Sequence, residues 1–124
     1  MKRIGFITTN KVLAQSLAAM VKNHPDWAFE PFLLLDPGQA ALDAAVLELD
    51  AAVVDAADGA AGATGALCGS LRRAAPGCRL LLLVPQGGRA GRKTAIEAVK
   101  SHAADDFVFY DTSLDYLLAK LAAI

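Results

Sequence analysis

The sequence contains few of the residues that build metal centres and redox sites. Its 124 residues include two cysteines and two histidines. Cys68 and Cys78 lie ten positions apart, with no CxxC pair and no histidine cluster near them. This spacing fits neither a zinc site nor a thioredoxin-like redox motif, so we expect reduced, buried thiols.

Long apolar runs and a strong charge of one sign are also absent. No apolar stretch approaches the roughly 18 residues that a membrane-spanning helix needs, and the first one ends after Ile7. The formal net charge of −1 gives no general attraction to nucleic acid or to an anionic membrane. The composition therefore indicates a cytoplasmic protein with no membrane span and no direct nucleic-acid partner.

The chain does contain a regular alternation of strand-like and helix-like segments over the length of one domain. The predicted strands are apolar segments: 4–8, 28–35, 51–54, 80–84 and 107–110. The predicted helices follow them: 13–21, 36–48, 67–75, 94–104 and the segment from 114 onward. Asp36 is predicted to cap the second helix, with Gln39 completing a capping box.

Strands that alternate with helices predict an α/β fold with an open, doubly wound parallel sheet. Segment 80–84, LLLLV, is apolar on both faces, as expected of a central strand. Function in such sheets gathers at the carboxyl ends of the strands. We therefore expect Asp55, which ends the third strand, to lie close to segments 8–10, 85–93 and 111–112.

Segment 101–121, SHAADDFVFYDTSLDYLLAKL, resembles the end of bacterial response-regulator receiver domains, the CheY-like family. Their last strand commonly reads GADDFLVKPF before a leucine-rich helix. The resemblance continues through KRIGFITTNKVLAQSLAAM at 2–20 and LDAAVVDAADG at 49–59. It implies a flavodoxin-like sheet with strand order 2-1-3-4-5, helices on both faces, and Asp55 at the position of the phosphorylated aspartate.

The other functional positions of that family are altered here. Thr8 and Thr9 stand where receivers have the pair of acids that binds magnesium. Val84 replaces the Thr or Ser that ends the fourth strand, and Tyr110 replaces the lysine of the last strand. The aromatic residue that reports the conformational state in receivers corresponds to Phe107.

These changes predict a pseudo-receiver, a domain that keeps the receiver fold without the phosphorylation chemistry. Phosphoryl transfer to a carboxylate needs a hard dication and a nearby cation to neutralise the oxygens. Two threonine hydroxyls are poor magnesium ligands, and Tyr110 is neutral near pH 7. We expect no catalysis, no magnesium and no cofactor, and a regulatory or protein-interaction role in bacterial signal transduction or an assembly system.

Segment 1–124 is interpreted as one receiver-like domain, compatible with a piece cut from a longer protein. Two alternative functions stay open at the level of the sequence. The first is a receiver that is phosphorylated on Asp55. The second is a small-ligand or nucleotide-binding module that uses the basic loop 87–93, GGRAGRK, which resembles a phosphate-binding P-loop. Arg92 occupies the position of the second P-loop glycine, so the motif is incomplete, and its side chain would obstruct the close approach of the backbone to a phosphate.

The predicted interaction surface lies on the fourth helix, the fifth strand and the last helix. Receivers commonly use this surface to dimerise or to bind output domains, so the resemblance implies a protein partner or a homodimer. Charges of both signs surround aromatic groups there, a composition compatible with an interface. Its candidate residues are Lys100, Asp105, Asp106, Phe109, Asp115, Tyr116 and Lys120.

Overall fold

The computed structural model describes residues 2–23, 29–56, 63–85, 93, 96–97 and 99–123. Within them lies a five-stranded parallel sheet with the strand order 2-1-3-4-5, as predicted. The strands are β1 (Lys2–Ile7), β2 (Phe29–Leu34), β3 (Ala51–Asp55), β4 (Arg79–Val84) and β5 (Asp106–Phe109). Asp55 is therefore the last residue of β3, where the sequence placed it.

Four helices are assigned among the described residues: α1 (Lys11–Asn23), α2 (Ala40–Val46), α3 (Ala63–Ala74) and α4 (Leu114–Ala123). Residues 93, 96–97 and 99–100, between β4 and β5, are helical as well. The predicted extension of that segment to residue 104 is wrong. The chain turns from Ser101, and His102 has a φ of 61°, which a right-handed helix does not permit.

The start of α2 differs from the prediction because Asp36 begins a turn that precedes the helix. Its carboxylate oxygen accepts the Gly38 amide at 2.9 Å, two residues further on. The backbone continues as a tight turn, in which the Gln39 amide donates to the Asp36 carbonyl at 3.0 Å and the Ala40 amide to the Pro37 carbonyl at 3.3 Å. The helix begins at Ala40, and the Gln39 side chain makes no capping hydrogen bond, so the predicted capping box is wrong.

Both faces of the sheet are covered by helices. On one face, strand residues such as Leu82 form a cluster with side chains of α2 and α3. On the other face, residues such as Leu81 cluster with side chains of α1 and α4. Leu80–Val84 is buried along its whole length, which confirms the prediction of a central strand and explains why its sequence shows no polar alternation.

The β2 strand forms one edge of the sheet, since it pairs only with β1 among the described strands. Pro31 lies in the middle of β2, opposite Ile4 of β1. Proline has no amide proton and is tolerated in sheets at edges, where the missing donor can face outward. The position of Pro31 therefore agrees with an edge strand.

The two thiols are buried and unpaired with each other, as the sequence predicts. Burial raises the pKa of Cys68 and of Cys78 to about 11, against a weaker opposing effect of the Arg72 charge. Both thiols are therefore protonated at neutral pH and are poor nucleophiles. No helix among the described residues has the length and hydrophobicity to cross a membrane.

Candidate functional site

The candidate site is built around the carboxylate of Asp55, which is half-buried at the end of β3. The Thr8 hydroxyl, directly after β1, donates to Asp55 Oδ2 at 2.5 Å. The same hydroxyl oxygen accepts the Asn10 amide at 3.0 Å, an arrangement that directs its proton toward the carboxylate. Thr8 is a buried residue, 3% exposed, so this bond lies largely out of water.

The second carboxylate oxygen of Asp55 accepts a hydrogen bond from a residue that follows β5. Tyr110, directly after β5, donates its hydroxyl to Asp55 Oδ1. Because β4 lies between β3 and β5, this side chain crosses the carboxyl end of β4. A turn follows β5, in which the Thr112 amide donates to the Phe109 carbonyl at 3.0 Å. The two hydroxyls thus hold Asp55 between β1 and β5.

The remaining predicted pocket positions have different surroundings. Val84 is fully buried in the core cluster below the site. Phe107 packs edge-to-face against Phe109, with ring centroids 5.6 Å apart and planes at 85°. Thr9 is exposed. The structure therefore brings Thr8, Asp55 and Tyr110 together, and it leaves Val84 and Phe107 in apolar packing.

A pocket of about 380 Å³ lies beside Asp55, toward α2 and α3. Sequence reasoning missed it, although the strand order contains a signal. The helices that follow β1 and β3 cover opposite faces of the sheet, and such a reversal opens a crevice at the carboxyl ends of the strands. The polar residues that line the pocket are Thr8, Thr9, Asp55, Thr64 and Ser70.

The predicted interaction surface is partly occupied by an internal ion pair. Lys120 Nζ lies 2.6 Å from Asp106 Oδ2 and 5.5 Å from the centre of the Tyr116 ring. The hydrogen bond to Asp106 raises the pKa of Lys120. Tyr116 is 51% exposed, and Asp115 and Lys100 are exposed as well.

Asp105 holds structural elements together, a role that the sequence did not reveal. Its Oδ2 accepts the Leu80 amide at 2.8 Å and lies 3.0 Å from Arg72 of α3. Arg79 approaches the other oxygen at 3.6 Å. The Asp105 side chain is 22% exposed, so it presents little charge to a partner.

The basic loop 87–93 lies outside the described residues except for Lys93, which is exposed and helical. No family model matches the chain, and no protein of curated function matches its sequence. A CheY-like response-regulator receiver domain protein from Methanospirillum hungatei JF-1 matches its structure with a TM-score of 0.78 at 15% identity, over 99% of this chain and 92% of that one.

The chain has the receiver fold. Two further matches to this fold differ in their described roles. A putative pilus assembly protein from Burkholderia thailandensis E264 matches with a TM-score of 0.72 at 19% identity, over the whole of both chains. A Burkholderia pseudomallei response regulator, solved with a phosphorylated aspartic acid, calcium ion and citrate, matches with a TM-score of 0.75 at 24% identity, over 96% of this chain and 65% of that one.

The residues at Asp55 do not fit the magnesium ion that typical receivers bind. Magnesium takes oxygen ligands in near-octahedral geometry and is held by carboxylates. Here the acid-pair positions hold Thr8 and Thr9, and the Thr8 hydroxyl donates a hydrogen bond to Asp55. Within the described ranges, no three His, Cys, Asp or Glu side chains are grouped as metal ligands.

Proposed function

We propose that this receiver-fold chain is a pseudo-receiver, a single non-enzymatic domain that binds protein partners in the bacterial cytoplasm. Receiver domains of this fold serve signal transduction, and the pilus assembly match adds an assembly system as a second setting for the proposed role. One observation carries the proposal. Thr8 and Tyr110 donate neutral hydroxyls to the two oxygens of Asp55, at positions where the family resemblance places an acid and a lysine.

The electrostatics of this arrangement oppose phosphorylation. A phosphoryl group would bring negative charge next to Asp55, and catalysis requires positive charge to stabilise it as it develops. A tyrosine hydroxyl supplies a hydrogen bond without a full charge. Val84, buried and apolar, has no donor for a phosphoryl oxygen.

We predict that the purified chain gains no phosphoryl group when it is incubated with magnesium and acetyl phosphate. Intact mass spectrometry measures this directly, and beryllofluoride titration followed by amide NMR tests for the non-covalent analogue. A phosphorylatable receiver treated in parallel supplies the positive control. A stoichiometric mass gain that disappears in Asp55→Asn would contradict the proposal.

That contrary result would support the second candidate, a receiver that is phosphorylated on Asp55. The observation in its favour is the position of Asp55 at the end of β3. The same fold is found in the B. pseudomallei regulator solved with a phosphorylated aspartic acid. The mass measurement separates the two candidates because only the second one predicts a phosphoryl group on Asp55. It also requires no knowledge of the partner.

We propose that the partner surface is formed by β5, α4 and the helical residues that precede β5. Tyr116 is its most suitable anchor, since an exposed aromatic side chain buries a large area on binding. Asp115 provides an exposed charge beside it. Asp106 is less suitable for a test, because reversing its charge would break the internal pair with Lys120.

We predict that Tyr116→Ser combined with Asp115→Lys weakens self-association by at least tenfold in dissociation constant, or about 1.4 kcal/mol. The variant removes the aromatic anchor and reverses the neighbouring charge. Sedimentation equilibrium measures the change, and Glu48→Lys, an exposed charge reversal after α2, is the matched control. An equal effect of the control, or a wild-type chain that stays monomeric at high concentration, would exclude a homodimer through this surface.

A further inference from the structure

The pocket beside Asp55 has no role in the proposed partner binding. It lies at the carboxyl ends of β1 and β3, close to the starts of α2 and α3. Its volume of about 380 Å³ is at the small end of the range of about 300–1,000 Å³ for ligand pockets. Apolar walls are supplied by Ile7, Pro37, Ala41 and Leu67. A small organic molecule with both polar and apolar groups fits this size and this mixture of surfaces.

Thr64 gives the pocket a specific hydrogen-bonding group. The residue is 8% exposed, and it lines the pocket. The Thr64 hydroxyl can donate and accept, so it is suited to a ligand hydroxyl.

The charge of the pocket determines which ligands it favours. Asp55 carries the only formal charge among the described lining residues, and none of them is Lys, Arg or His. The amides at the start of α3 oppose this charge with a partial positive charge of about 0.5. A full carboxylate charge exceeds that contribution, so the pocket disfavours anions, including phosphates and nucleotides.

We propose that this pocket binds a small organic cation, with its ammonium group at Asp55 and a hydroxyl group at Thr64. The site is formed by residues of β1, β3 and α3, on the opposite side of Asp55 from Tyr110 and β5. Ligand binding here is therefore separate from the partner surface proposed above. Its test does not depend on the identity of any partner.

Three probes of matched size test the proposal by amide NMR titration at pH 7 and constant ionic strength: ethanolamine, ethylene glycol and glycolate. We expect ethanolamine to cause saturable shifts at Thr9, Ala56, Thr64 and Ser70. Ethylene glycol should bind at least tenfold more weakly because it lacks the charge, and glycolate should cause no saturable shift. Equal responses to the three probes, or shifts located elsewhere, would overturn the proposal.

Substitutions assign the two ligand groups to their residues. Asp55→Asn should remove the preference for ethanolamine over ethylene glycol, and Thr64→Val should weaken ethanolamine binding at least fivefold. Thr112→Val removes a hydroxyl outside the pocket and should leave the affinity unchanged. Ser70→Ala, which should weaken binding about threefold, replaces Thr64→Val if that variant fails to fold. Unchanged affinity in the folded pocket variants would show that the site is not the one proposed.

Discussion

Leu82→Ala is expected to lower the free energy of unfolding by about 3 kcal/mol, the largest single effect that we predict. Leu82 lies at the centre of β4, is fully buried, and pairs in register with Val54 and Phe107. Its removal loses apolar burial and leaves a cavity between the sheet and the helices α2 and α3. Whole-domain stabilities of about 5–15 kcal/mol make this a large fraction of the total.

Urea denaturation, followed by circular dichroism, measures this change, and the chain provides a matched control. Leu42 on α2 is 60% exposed, so Leu42→Ala should change the free energy of unfolding by less than about 0.5 kcal/mol. Similar losses for the two variants would contradict the packing of β4 described here.

Asp105→Ala is expected to lower the free energy of unfolding by about 2 kcal/mol. The variant leaves the Leu80 amide without its carboxylate acceptor and the partly buried Arg72 without its ion partner. Hydrogen bonds to charged groups contribute about 1.5–3 kcal/mol. The contact with Arg79 adds little, because that side chain is 60% exposed.

The same denaturation measurement should give a smaller loss for Asp105→Asn, since an amide oxygen can still accept the Leu80 amide. Glu48→Ala removes an exposed carboxylate after α2 and should change the stability by less than about 0.5 kcal/mol. If Asp105→Ala is no more destabilising than Glu48→Ala, the connection between α3, β4 and the start of β5 is weaker than its geometry indicates.

The sheet could be predicted from the sequence because its signals are local. The run Leu80–Val84 is apolar on both faces, and each such run is followed by a helical pattern. The position of Asp55 follows from the end of one of these runs. The start of α2 could not be placed, because residues 36–39 form a tight turn with backbone bonds from Gln39 to Asp36 and from Ala40 to Pro37, and the same residue types also suit a helix start.

The contacts of the candidate site could be predicted only in part. The strand order brings Thr8 and Asp55 to the carboxyl ends of neighbouring strands, so their proximity was expected. The bond from Tyr110 to Asp55 crosses β4 and depends on a side-chain conformation that no sequence pattern specifies. The pair formed by Arg72 and Asp105 joins residues far apart in the chain, and each of them also suits a solvent-exposed position.

Pro31 affects whether strands of other molecules can add to the edge of this sheet. An open sheet edge is a template to which a strand of another molecule can add, and an edge proline removes one of the donors that such an added strand would need. At the opposite edge, β5 is only four residues long, which limits the length of backbone available for pairing. Neither edge therefore favours growth of the sheet from molecule to molecule, and amyloid-like stacking of the folded domain is disfavoured at both ends.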